Sequence, residues 1–224
     1  MEHQYTTYDK ELASLKDGIL KMGGLVEELI FKSVESLRKR DINLAKEVIK
    51  QDVAVDRLEL EIDEQCINLI ALRQPKAGDL RFITTGMRIA TDLERIGDLA
   101  EDVAERSLEL ADQGPLKPLI DIPKMAVLAQ SILKSALDAF VNGNTAKARG
   151  VWEKEKEVDR LRDQVHDELI DIMVKDALSV PRAIPLLLIS RHLERIADHA
   201  TNIAEDVIFM VEAKVVKHSG GEKE

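Results

Sequence analysis

A single cysteine, Cys66, stands in 224 residues, so no internal disulfide can staple the chain. Its neighbours Gln65, Ile67 and Asn68 bring no lysine, arginine or histidine to acidify the thiol, and a core or near-core position is expected. Aromatic residues are only 3% of the chain, which leaves aliphatic side chains to build that core. The longest apolar run, around Ile184 to Ile189, is about a third of what a bilayer span requires, and no membrane insertion is expected. The polar opening, Met1 to Tyr8, lacks the basic, apolar and small-residue regions of a secretory signal, so a cytoplasmic location is expected. There is no Gly-x-x-x-x-Gly-Lys loop, no Gly-x-Gly-x-x-Gly turn and no Gly-x-Ser-x-Gly elbow. Nucleotide hydrolysis, dinucleotide redox chemistry and the common hydrolase architecture therefore lose support. No Glu-x-x-His occurs either, which removes the ferritin-like di-iron pattern. Bases are outnumbered, 32 against 42 acids, and the resulting net charge of −10 argues against nucleic acid or an anionic lipid surface as partner.

What the chain does hold is 45% apolar and 33% charged residues, a balance that supports one or two compact soluble domains. Its six prolines fall in three places, at Pro75, at Pro115, Pro118 and Pro123, and at Pro181 and Pro185. The stretches between are rich in Leu, Ala, Glu, Lys and Arg, and read as helices. With further breaks at Arg40-Asp41 and Asn142-Gly143-Asn144, six helices are predicted, at about residues 9–39, 43–73, 79–112, 124–142, 145–177 and 182–216. Met22, Leu25, Ala45, Val48, Val55, Asp56, Arg57 and Leu58 recur 103 residues later as Met125, Leu128, Ala148, Val151, Val158, Asp159, Arg160 and Leu161. In the third helix of each half the offset is 100, and Leu93-Glu94-Arg95-Ile96-Gly97-Asp98 returns as Leu193-Glu194-Arg195-Ile196-Ala197-Asp198. The expected fold is all-α: two tandem three-helix bundles, residues 1–113 and 124–224 with a short polar tail, joined by a proline-containing linker at 114–123.

On a helical wheel of about 100° per residue, Leu93, Ile96, Ala100, Val103 and Ala104 share the core-facing arc, with Glu94, Asp98, Glu101 and Glu105 beside it. Helix six repeats this with Glu194, Asp198 and Glu205, and places Thr201 where helix three has Glu101. Helices two and five carry Asp52 with Asp56 and Glu155 with Asp159, so each half holds two copies of [DE]-x-x-x-D. Facing stripes would present four carboxylates to one spot, and an all-oxygen set suits a hard cation such as Mg²⁺, Mn²⁺, Ca²⁺ or oxidised iron. The competing reading is a solvated acidic face, with Arg57, Arg95, Arg160 and Arg195 pairing locally. His192 and His199 point away from the carboxylates on this wheel, His166 reads as surface, and His3 and His218 sit in tails. Gly86, Gly97 and Gly150 lie inside predicted helices and mark close helix approach.

The double occurrence of Asp92-Leu93-Glu94-Arg95-Ile96-Gly97-Asp98-Leu99-Ala100 and Arg191-His192-Leu193-Glu194-Arg195-Ile196-Ala197-Asp198-His199-Ala200, with Asp56-Arg57-Leu58 and Asp159-Arg160-Leu161 before them, resembles the PhoU family from about Tyr8 to Met210. The resemblance implies a cytoplasmic regulator of phosphate uptake and not an enzyme. Such a protein would restrain transport when phosphate is plentiful, as an adaptor between the ATPase of an ABC-type phosphate transporter and a phosphate-sensing histidine kinase. It also implies metal ions, Fe, Mn, Mg or Ca, on Asp52, Asp56, Glu94 and Asp98 and on Glu155, Asp159, Glu194 and Asp198, with Asp102 and Asn202 as additional ligands. A homodimer is the expected assembly. Two alternatives use the same residues differently: a metal-dependent helical-bundle enzyme or metal store, and a metal-free structural scaffold.

Overall fold

The computed structural model describes residues 2–217, with side chains from Thr7 onward; the tail histidines, His3 and His218, lie outside the described side chains. Seven α-helices follow in order: α1 (Glu2–Lys39), α2 (Ile42–Arg73), α3 (Ala77–Leu110), α4 (Asp121–Asn142), α5 (Thr145–Arg149), α6 (Trp152–Lys175) and α7 (Val180–Glu212). A 3-10 turn, Ala177–Ser179, leads into α7, and there is no strand among the described residues. Short polar residues start several of these segments, as their hydrogen-bonding capacity dictates. The Asp41 carboxylate accepts from the Asn43 and Leu44 amides, Asn144 caps at Lys147, and Asp176 caps at Leu178.

The all-α reading holds, with two local differences. The fifth predicted helix is broken into α5 and α6, because Gly150 closes α5 and the chain turns through Val151 before Trp152. The sixth begins earlier than its prolines suggest. Pro181 sits in the first turn of α7, where its missing N–H has no intrahelical acceptor to lose, and Pro185 follows one turn in.

Helices α1, α2 and α3 pack together, as do α4, α5, α6 and α7, and the halves meet along α3 with α7 and α1 with α4. Both seams are antiparallel. Arg88 reaches Asp206, and Asp102 lies beside His192 further along; Lys16 donates to the Val141 carbonyl, and Gln130 to that of Glu27. Glu27 and Gln130 are repeat mates, 103 residues apart, so this bond marks the pseudo-two-fold relation between the halves. One continuous aliphatic core results, drawing Ile19, Ile89 and Leu93 from one half and Ile132, Ile189 and Leu193 from the other. Helices α2 and α6 pack on the flanks, against α1 and α3 and against α4 and α7 respectively. Cys66 is fully buried, and burial pushes its thiol up to about 12. No helix of the described residues is long and apolar enough to cross a membrane.

Candidate metal centre

The acid stripes of α2 and α3 face each other. One carboxylate oxygen each of Asp52, Asp56 and Asp98 lies within 4.8 Å of the other two, a separation that ligands of one hard cation, each at about 2.0–2.6 Å from it, can span. Asp52 is the inner member. It is only 5% exposed, and its Oδ1 is buried without a hydrogen-bond partner. Gly97 makes that depth attainable, since a Cβ there would stand 2.7 Å from Asp52 Oδ1 and 3.2 Å from Val55 Cγ1. Burial, then Glu101, Asp56, Asp98 and Glu94, push the Asp52 carboxyl up to about 7. Glu94 and Asp98 are raised for the same reasons, burial first, with Arg95 acting against it on both. A buried, unpartnered oxygen among four further carboxylates is unfavourable unless a proton or a cation joins them, and the oxygen-only set fits a hard cation.

The second half keeps the acids and changes their company. Glu155 is buried at the position of Asp52, and Glu194 is raised by burial, Asp198 and Asp159, so α6 and α7 also bring their stripes together. Arg162 enters this groove, its Nη1 3.3 Å from Glu194 Oε1. Its repeat mate on α2 is Glu59, which adds to the repulsion on Glu94. Thr201 replaces Glu101 in this half, and Ala197 replaces Gly97. At this repeat position the first groove therefore has a carboxylate, Glu59, where the second has a cation, Arg162.

The remaining expected ligands lie toward the seam between the halves. Asp102 contributes to the field at Asp98, yet its Oδ2 is 3.6 Å from His192 Nδ1 on α7. Asn202 lines a cavity of about 390 Å³ with Arg88, Thr91, Asp92 and Asp206. Both histidines of α7 meet carboxylates of α3 across the seam: His199 Nδ1 is 2.8 Å from Asp92 Oδ1, and His192, beside the expected ligand Asp102, is held below its ordinary value by burial, against the attraction of that carboxylate. Of the arginines weighed as local partners, Arg57 bonds Glu61 and Arg160 bonds Glu157, both away from the clusters, while Arg95 borders Glu94 and Asp98 at 3.4 Å. Two contributors escape the [DE]-x-x-x-D spacing. Glu101 lies on the same flank three residues past Asp98, and Arg162 becomes visible on aligning the halves at 103 residues, where it opposes Glu59.

Two helical repeats, α1–α3 and α4–α7, fused through antiparallel seams, with acid stripes facing each other between α2 and α3 and between α6 and α7, define a tandem-repeat, all-helical protein. A family model described as the PhoU domain matches twice, at residues 19–107 and 122–207. The Phosphate-specific transport system accessory protein PhoU homolog of Aquifex aeolicus is 44% identical over 209 residues, covering 93% of this chain and 95% of its own. The homolog of that name from Caulobacter vibrioides is 38% identical over the same share of this chain and 91% of its own. The crystal structure of PhoU from Pseudomonas aeruginosa superposes with a TM-score of 0.89 at 36% identity, covering 92% of this chain and 100% of that one. The phosphate transport system regulatory protein PhoU from Streptococcus pneumoniae gives 0.87 at 31%, covering 94% and 99%. The chain belongs to the PhoU family.

Proposed function

We propose that this protein is a cytoplasmic, non-catalytic accessory protein of phosphate-specific transport, an adaptor between the transporter's ATPase subunit and a phosphate-sensing histidine kinase. The observation that carries this reading is similarity along nearly the whole chain, in both repeats, to relatives named as accessory proteins of that system. The outer helices, with an acidic surface and exposed apolar residues such as Val53 and Leu60 on α2, offer docking area for basic partner surfaces. Within this role Asp52, Asp56 and Asp98, with Glu94 and Glu101 close by, would hold one hard cation. Bound there, the ion supplies the positive charge that lets these carboxylates ionise together. The second groove, neutralised in part by Arg162, is the weaker site. Deletion of the gene is expected to raise phosphate-regulated transcription in phosphate-rich medium, measured with a reporter; unchanged output there rejects the adaptor role.

A further inference from the structure

The linker end of the molecule holds a cavity that shares no residue with the carboxylate grooves. The C-terminal ends of α1 and α3, the linker and the first turns of α7 enclose a cavity of about 400 Å³, within the range of small-ligand sites. Leu37, Leu110 and Leu186 form its apolar floor, and four cations line it: Arg38, Arg40, Lys117 and Arg182. No carboxylate is among its lining residues, in a chain whose net charge is −10. Arg38 bonds Glu35 and the buried Lys117 bonds Glu168, whereas Arg40 and Arg182 have no ion pair among the described residues.

The pseudo-symmetric end of the molecule shows what this space looks like when filled. The repeat mates of Leu37 and Arg182 are Phe140 and Phe82, whose rings stack with centroids 5.4 Å apart. The mate of Arg38 is Val141 and that of Arg40 is Gly143. The last pair is the most telling. Both residues close their helix in the left-handed region, Arg40 at φ 56° and Gly143 at φ 58°, and the following amides make equivalent bonds, Asp41 to the Ser36 carbonyl and Asn144 to that of Ala139. Glycine adopts this conformation freely, whereas a residue with a Cβ is strained there. One end thus has an unstrained cap and packed rings; the other has a strained arginine, a second arginine in place of a ring, and a cavity. Gln74 and Ala213 close α2 and α7 in the same conformation, so it is the cationic cavity beside Arg40, rather than its cap alone, that sets this end apart.

We propose that this cavity binds an amphipathic organic anion, with a phosphate or carboxylate head on Arg40 and Arg182 and an aliphatic body on the leucine floor. Arginine forks suit either head; no aromatic residue lines the cavity to stack a base, which favours an aliphatic body over a nucleotide. Isothermal titration calorimetry with octyl phosphate and octanoate, each below its micelle concentration, tests this on the full chain. At least one should bind saturably at one per chain, weakened about tenfold or more by Arg40→Gly and by Arg182→Gln, while inorganic phosphate at matched ionic strength binds far more weakly. Arg40→Gly should also raise the melting temperature by a few degrees, since glycine relieves the strain, so lost binding in that variant cannot be ascribed to misfolding. Failure of both alkyl anions to bind the wild type, unchanged affinity in both variants, or capture by phosphatidylglycerol vesicles without octyl phosphate binding would each overturn the proposal.

Discussion

Asp52 shows how one buried carboxylate couples the site to stability. Its folded-state value of about 7 lies above the ordinary 3.8, so the folded protein holds this proton more tightly than the unfolded chain does. Stability from this group therefore falls as pH rises from about 4 to about 7, and the penalty is complete above that, on the order of 4 kcal/mol. In chelator, the wild type is expected to melt at a lower temperature at pH 8 than at pH 5.5, and Asp52→Asn should melt above the wild type at pH 8. Added Mn²⁺ should raise the wild-type midpoint and leave that of Asp52→Asn unmoved. Thermal scans followed by circular dichroism check both; a cation response that survives the substitution would remove Asp52 from the site. The acids were readable in the chain at this scale, since Asp52, Asp56 and Asp98 come together as their spacing suggests, while Glu94 stands outside that group and acts on Asp52 through its charge. The depth of Asp52 was not, because it depends on Gly97 of another helix leaving room for the carboxylate.

At the scale of elements, the two grooves share a backbone plan and differ in charge. The α2–α3 groove has Glu59 and Glu101, where the α6–α7 groove has Arg162 and Thr201. Protein purified without chelator is accordingly expected to carry metal that is lost in Asp98→Asn and retained in Asp198→Asn, measured by inductively coupled plasma mass spectrometry on folded samples. Equal loss in both variants would mean that Arg162 does not decide occupancy. Helix starts followed from local chemistry, as at the Asp41 and Asn144 caps. The break at Gly150 and the start of α7 at Val180, ahead of Pro181, differ from the local reading because both depend on what packs around them. Pro185 and Leu186 are buried on the core side of α7, and that burial offsets the donor the proline removes.

For the whole molecule, the seams between halves matter as much as the halves. Ile96, Leu99, Val103, Ile196, Ile203 and Val207 are buried on α3 and α7, the pair that forms the longer seam. Residues 1–113 alone would expose the seam faces of α1 and α3, and are expected to self-associate or stay partly unfolded by analytical ultracentrifugation and circular dichroism, whereas the full chain melts in one transition. A stable monomer of residues 1–113 would show instead that each repeat is an independent domain. Sequence alone determined the helical class, the repeat, the family resemblance and which carboxylates share a flank, because helical periodicity and cap chemistry act over a few residues and survive in a one-dimensional record. Tertiary structure decided how deep Asp52 lies, which groove Arg162 neutralises, where Asp102 and Asn202 point, and that one end of the molecule is packed with rings while the other is hollow and cationic. Those outcomes arise from side chains far apart in the chain meeting at a fixed distance, and only the packed helices set that distance.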